Sequence, residues 1–339
     1  MSASASIAKL TANWQEQLRN VITSGTELLN ALDLTPAQAG FSEAACADFA
    51  VKVPHSFVRR MQRGDPCDPL LLQVISRSDE MLDTPGYTED PVGEAASNIA
   101  LPGLIHKYRG RVLLIVAGGC VINCRYCFRR HFPYEENRNS KDQWSDALQY
   151  IQDDSSIREV ILSGGDPLVA TDAHLAQLVQ QIGAIGHVKR LRIHSRVPVV
   201  LPDRVTPDLL NALRHEQLQT IMVLHCNHAN EIDASVADAV AAMRKFDFTV
   251  LNQAVLLAGV NANLQAQSDL CEALFTAGIL PYYLHLLDRV QGAAHFDIPE
   301  EKALALHREL TARLPGYMVP KLVREIAGAD AKTGVGGTA

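Results

Sequence analysis

From Arg111 onward the chain alternates short apolar runs with longer stretches whose apolar residues fall three and four apart. The runs Val112–Val116, Val160–Ser163, Leu191–His194, Thr220–His225, Val250–Ala254 and Tyr282–Leu287 predict strands. Between them, Trp144–Gln152, Ala173–Ile185, Pro207–Arg214, Ala234–Lys245 and Asn263–Ala277 predict helices. A parallel neighbour needs a crossover connection, so this alternation implies an α/β fold built from parallel β/α units. Six units make a partial (β/α)6 barrel, in which chemistry gathers at the C-terminal ends of the strands. The first hundred residues read differently. Leu18, Val21, Ile22, Leu28, Leu29 and Leu32 predict one helix stopped by Thr35-Pro36, and a second helical patch runs from Phe57 to Ser78, broken at Gly64-Asp65-Pro66. Asp83 to Gly103, rich in Pro, Gly, Asp and Glu, reads as a connecting loop. From Glu300 the chain offers one helix, a turn at Leu314-Pro315-Gly316-Tyr317, a short strand Lys321–Ile326 and a Gly-rich tail. The expected division is a helical region over 1–105, a barrel over 106–299 and a C-terminal segment over 300–339.

Composition narrows the class. With 47% hydrophobic and 20% charged residues the 339-residue chain can bury a sizeable core. A net charge of −7 argues against nucleic-acid or anionic-membrane surfaces. The start lacks a charged segment followed by an apolar one, and no eighteen apolar residues run together, so a cytoplasmic protein is expected. Seven cysteines, three of them clustered, fit a reducing compartment. Cys46, Cys67, Cys226 and Cys271 stand alone and are expected to be buried small hydrophobes.

The clustered three carry the chemistry. Cys120, Cys124 and Cys127 form a C-x3-C-x2-C set directly after the first predicted barrel strand. Iron–sulfur clusters are normally held by four thiolates, so three leave one iron open to a small molecule. A structural zinc site wants a closed set of four ligands, and no further Cys or His follows at ribbon spacing, which leaves zinc or free thiols as the alternative. The spacing, with Tyr126 before the last Cys, resembles the radical S-adenosylmethionine (SAM) superfamily. That resemblance implies a [4Fe-4S] cluster on the three cysteines, SAM on the open iron, and Tyr126 beside the adenine. Gly164-Gly165-Asp166, at the end of the second strand, resembles the glycine motif that contacts the SAM amino group; a plain βα turn is the alternative.

Further strand-end motifs agree in order: Arg192-Ile193-His194-Ser195-Arg196-Val197-Pro198, Asn252-Gln253-Ala254-Val255-Leu256-Leu257, Pro281-Tyr282-Tyr283, Asp288, Gly292-Ala293-Ala294-His295-Phe296 and Gly316-Tyr317-Met318-Val319-Pro320. Over residues 60 to 335 the chain resembles the lysine 2,3-aminomutase family, and its compact length points to the branch serving (R)-β-lysylation of elongation factor P. The resemblance implies an isomerase, an intramolecular aminotransferase turning L-α-lysine into β-lysine with a 5′-deoxyadenosyl radical and pyridoxal 5′-phosphate (PLP). An electron donor is an implied partner. By the same register Lys332 would carry PLP, although a lysine in such a tail is otherwise a solvated one. Arg129 would pair the substrate carboxylate, a task suited to its bidentate fork, and Asp288 and Glu325 would hold the ε-ammonium. Glu325 stands where the family usually has Asp, and a surface ion pair with Arg324 or Lys321 is its alternative. His106 to Arg111 is a basic cluster, either a PLP-phosphate site or a solvated face. The family's C-terminal zinc cysteines have no counterpart after Cys271. The same mechanism on another amino acid such as glutamate, or a non-catalytic iron–sulfur or zinc module, are the competing functions.

Overall fold

A computed structural model describes residues 13–94, 99–134 and 141–336. The start of the chain and the last three residues of the tail lie outside them. One sheet organises the described residues. It contains β1 (Ile99–Leu101), β2 (Leu104–Tyr108), β3 (Arg111–Ala117), β4 (Glu159–Gly164), β5 (Arg190–Ser195), β6 (Gln219–His225), β7 (Thr249–Val255), β8 (Leu280–His285), β9 (Lys321–Arg324) and β10 (Thr333–Gly334), ordered as in the chain. From β3 to β9 every neighbour is parallel. The six expected strands are all present, and β9 joins them as a seventh. Helices cross back between the strands, and several start on a side-chain cap, as where Asp233 accepts from the Val236 amide at 3.0 Å and Asn263 from Ala266 at 2.9 Å.

Three antiparallel pairings frame this parallel set and went unpredicted. β1, β2 and β3 pair antiparallel ahead of it, within and just after the stretch read as loop, and β10 folds back antiparallel onto β9. Short strands between Gly-rich turns leave too few residues to show a period of two.

The sheet is strongly curled. Lys107 on β2 reaches Glu325, just past β9, at 2.7 Å. Seven ladder spacings on a flat sheet would separate those strands by roughly 34 Å, at about 4.8 Å per step, so the contact requires a partial barrel with both edges turned toward one lumen. Along β5, Leu191, Ile193 and Ser195 are buried while Arg192 and His194 are half-buried, as expected where one face meets helices and the other a polar lumen.

The N-terminal region departs from its prediction. In place of one helix over Leu18–Leu32 there are two, Trp14–Arg19 and Gly25–Ala31, parted where Ile22 bridges Val53. Ser24 caps the second by accepting from Glu27 N at 3.3 Å, which restarts the helix locally. The patch from Phe57 to Ser78 is mostly turns after a single helical turn, His55–Val58. Its apolar residues serve as core all the same: Ile22, Leu29, Phe57, Leu70 and Leu71 are buried in one cluster with Leu114, Leu162 and Ile193 of the barrel. Cys226 and Cys271 are buried, but Cys46 is half-buried and Cys67 exposed, each on a polar surface turn or short helix.

Candidate functional site

At the C-terminal end of β3 the chain turns into the cysteine loop. That loop is held by groups outside itself. Asn123 N donates to Lys52 O and Arg125 N to Gln73 O, each at 2.9 Å. The Arg125 side chain is fully buried and pairs with Glu80 at 2.5 Å, and Arg130 adds a 3.1 Å contact to the same carboxylate. Across the loop lies the β4 turn. Gly164 has φ +117°, and a Cβ on Gly165 would fall 2.4 Å from the Gly119 carbonyl oxygen, so both glycines are required for backbone to pack on backbone. Gly165 N donates to Ala117 O at 2.7 Å and Asp166 N to Gly119 O at 3.0 Å.

Cys120, Cys124 and Cys127 are all half-buried free thiols on this loop. Burial, then the neighbouring Cys127, pushes the Cys120 thiol well up; burial, then Cys124, pushes Cys127 up to about 11. Three thiols on one loop, each disfavouring its neighbour's ionisation, are donors of the kind that a cationic iron–sulfur centre takes as thiolates, so their chemistry suits a cluster. Among the described residues no three His, Cys, Asp or Glu side chains converge as a metal site. Cys124 Sγ instead accepts from Arg196 Nη1 at 2.7 Å.

Tyr126 is buried beneath the loop, and its hydroxyl is the hub of a polar network. It meets Asn227 Nδ2 at 2.7 Å, Arg196 Nη1 at 2.8 Å and His225 Nε2 at 2.9 Å, with its ring stacked on His225 at 5.6 Å. Asp166 is likewise committed within the fold. Its oxygens accept from Ser195 Oγ at 2.7 Å, Arg196 N at 2.8 Å, Leu168 N at 3.0 Å and Val197 N at 3.2 Å. Burial still raises its carboxyl to about 6. Tyr126, Gly164, Gly165 and Asp166 thus lie together around the cysteine loop, but the Asp166 carboxylate is spent on joining β4 to β5.

A second cluster forms where the sheet edges meet. Lys332, just before β10, places Nζ 2.6 Å from Glu325 Oε2; Lys107 Nζ is 2.7 Å from Glu325 Oε1, and the Tyr108 hydroxyl donates to the same oxygen. Burial alone would raise the Glu325 carboxyl, but Lys332, Lys107 and Tyr108 hold it down at about 2. Glu325 is therefore no surface partner of Arg324, which pairs with Glu300 at 2.9 Å. The basic stretch divides: Lys107 turns inward, His106 meets Tyr150 at 2.8 Å, and Arg109 is exposed. Lys332 Nζ lies 5.9 Å from the Tyr283 ring. His194, its imidazole held neutral by burial and by Arg192 and Lys332, has no hydrogen-bond partner for Nε2 among the described residues, nor has Arg192 for Nε. An orphaned buried guanidinium N–H and imidazole nitrogen, in a site that also holds an amine and a phenol ring, fit a flat anionic cofactor such as PLP.

Between the two clusters stands Arg129, buried, with Nε 2.7 Å from Glu94 and Nη1 3.2 Å from Ser163 Oγ. Asp288 lines a cavity of about 670 Å³ together with Leu287, Arg289, Arg324 and Glu325. Burial lifts its carboxyl to about 7 despite Lys332 nearby. Glu80, Gln73, Glu94 and Glu231 were not singled out from sequence, because they come from turns without motifs. Arg196 stood in a quoted motif at a strand end, the one position where sequence could have flagged it.

Comparison with known proteins gives the family. Residues 114–263 match the radical SAM superfamily model. The chain is 48% identical over 322 residues to L-lysine 2,3-aminomutase of Escherichia coli K12, covering 95% of this chain and 94% of that one. It is 48% identical over 321 residues to the enzyme of Haemophilus influenzae, covering 95% of each, and 32% identical over 324 residues to that of Clostridium subterminale, covering 95% and 77%. Streptococcus suis SuiB bound to S-adenosylmethionine overlaps 65% of this chain and 51% of its own at TM-score 0.47 and 14% identity.

Proposed function

This chain belongs to the lysine 2,3-aminomutase family of radical SAM isomerases, which act on L-lysine with a [4Fe-4S] cluster, SAM and PLP, and we propose that its lumen divides that work between its two side-chain clusters. Cys120, Cys124 and Cys127 would ligate the iron–sulfur cluster, with Tyr126, Gly164 and Gly165 shaping the SAM pocket and Asp166 bracing it. Lys332 would carry PLP. Arg129 would bind the substrate α-carboxylate, and Asp288 and Glu325 its ε-ammonium. When bound, these cofactors supply a carbon radical able to take hydrogen from lysine and a carrier for the migrating amine.

The geometry supports each proposed part. Arg129 is fixed by Glu94, Ser163 and Gly164 through Nε and Nη1, which holds the guanidinium rigid for a carboxylate. Glu325 binds the Lys332 ammonium at 2.6 Å, giving that amine a defined place whenever it is not bonded to PLP. A substrate ammonium beside Asp288 would restore charge to a carboxyl that burial tends to neutralise.

The observation that carries the assignment is the junction of Lys107, Glu325 and Lys332 across the open edge of the barrel that bears the cysteine loop. We further propose that the β-lysine serves modification of elongation factor P, as the compact length implies by the family resemblance: the chain covers 94% of the Escherichia coli enzyme but 77% of the longer clostridial one. Among the described residues no helix is long and apolar enough to cross a membrane. Anaerobic incubation of free L-lysine with SAM, PLP and a reductant, followed by chiral analysis, tests the reading. β-Lysine is expected; turnover of glutamate in place of lysine would overturn the two-carboxylate end.

A further inference from the structure

Arg196 is a buried cation bonded through both terminal nitrogens, and nothing in the proposed division of labour uses it. It follows β5 directly, its backbone N–H pinned by Asp166 Oδ2 at 2.8 Å. The guanidinium is 6% exposed. Nη2 donates to Gln73 Oε1 at 2.6 Å and to Glu231 Oε2 at 3.0 Å, while Nη1 donates to Tyr126 OH at 2.8 Å and to Cys124 Sγ at 2.7 Å. Glu231 is itself fully buried and accepts from Asn227 N at 2.9 Å, His228 N at 3.1 Å and Gln73 Nε2 at 3.1 Å. Burial opposes ionisation of Glu231, yet Arg196 and these donors hold its carboxyl below the usual range, so the pair is ionic. A buried ion pair contributes little stability by comparison with apolar packing of the same volume. Here the cation is aimed at one specific sulfur.

We propose that Arg196 is a positioning residue that sets the reduction potential of the cluster through Cys124, with Glu231 as its counter-charge; this rests on the reading of the cysteine loop as the cluster site. Reduction passes one electron from a low-potential donor to the cluster and adds one negative charge spread over iron and sulfur. A fixed cation touching one ligating sulfur stabilises that added charge, as hydrogen bonds to cluster sulfurs do. Because acceptors fix the guanidinium at both ends, it needs no reorganisation when the electron arrives. Removing the cation should therefore make the cluster harder to reduce, and removing the counter-anion should make it easier.

The test is a redox titration of the reconstituted holoprotein, followed by electron paramagnetic resonance of the reduced cluster. Arg196→Met should lower the reduced-to-oxidised ratio at fixed ambient potential about tenfold, equivalent to ~59 mV for a one-electron couple. Glu231→Gln should shift the ratio the opposite way, and Arg196→Lys should stay near wild type because the charge survives. Opposite signs are the signature; a residue that merely braces the loop gives no such reversal. If Arg196→Met takes up no iron, the Lys and Gln variants decide the matter on their own. Unchanged or same-sign shifts in proteins with full iron content would overturn the proposal. A wild-type protein that assembles no four-iron cluster would overturn it together with the cysteine-loop reading, and iron analysis tells the two failures apart.

Discussion

The two ends of the lumen are built in opposite ways. Around the cysteine loop, Arg125, Arg196, Glu80 and Glu231 are 6% exposed or less and tie the loop to turns from the N-terminal region and to the barrel strands. At the other end, Lys332 is 24% exposed and reaches the barrel through one carboxylate, on a tail whose next neighbours are mostly exposed. Buried ion pairs held by several further hydrogen bonds resist rearrangement, whereas a partly solvated pair is more easily exchanged. On the proposed reading, the end that would hold the cluster is braced by the chain's own buried ion pairs, and the end that would hold PLP presents an amine whose protein partner PLP and substrate could replace.

Removing a thiol should have the largest consequence. Cys124→Ala is expected to abolish iron loading and deoxyadenosine formation, measured by iron analysis and chromatography, while PLP binding at the far end persists; full SAM cleavage in that variant would contradict the cluster assignment. The packing contrast is sharpened by stability. Arg125→Met breaks a buried pair, leaving Glu80 with Arg130 as its remaining charged partner and the Phe49 and Ala45 carbonyls without their donor, and should cost about 3–5 kcal/mol in a denaturant titration, whereas Lys332→Ala at a partly exposed pair should cost about 1 kcal/mol or less. Equal losses would erase the distinction between the ends. For substrate binding, Asp288→Asn leaves a buried ammonium without its partner and should lower lysine kcat/KM on the order of a hundredfold, with cluster and PLP content unchanged.

The smallest effect concerns pH. Since Asp288 ionises at about 7, lysine KM should rise as pH falls through that value, by about tenfold one unit below it, and Asp288→Asn should lose this dependence. The sign for stability is the reverse. The folded carboxyl holds its proton more tightly than the unfolded one, whose ordinary value is 3.8, so Asp288 erodes stability as pH rises from about 4 to about 7. A KM flat across this window would show that Asp288 is not an anchor.

The same contrast explains what could be read from sequence. The six strands β3 to β8 and the helix Ala234–Lys245 were legible because their apolar periods are long and uninterrupted. Cys120, Cys124 and Cys127 were legible because thiols at fixed spacing carry their own chemistry. Glu80 and Glu231 were not, since an acidic residue in a turn looks solvated until the arginine it meets, 45 or 35 residues away, is known. The Lys107 to Glu325 contact spans 218 residues and depends on the curl of the whole sheet. No local pattern encodes it.

The central claim is that Lys332 holds PLP at one end of the lumen and yields it to lysine. Borohydride reduction of the PLP-loaded protein, followed by peptide mapping, tests this directly. Without substrate, the pyridoxyl label should fall on Lys332; with saturating lysine, it should leave the protein and appear on free lysine. Label on Lys107 or Lys321, or label that stays on the protein when lysine is bound, would contradict the account.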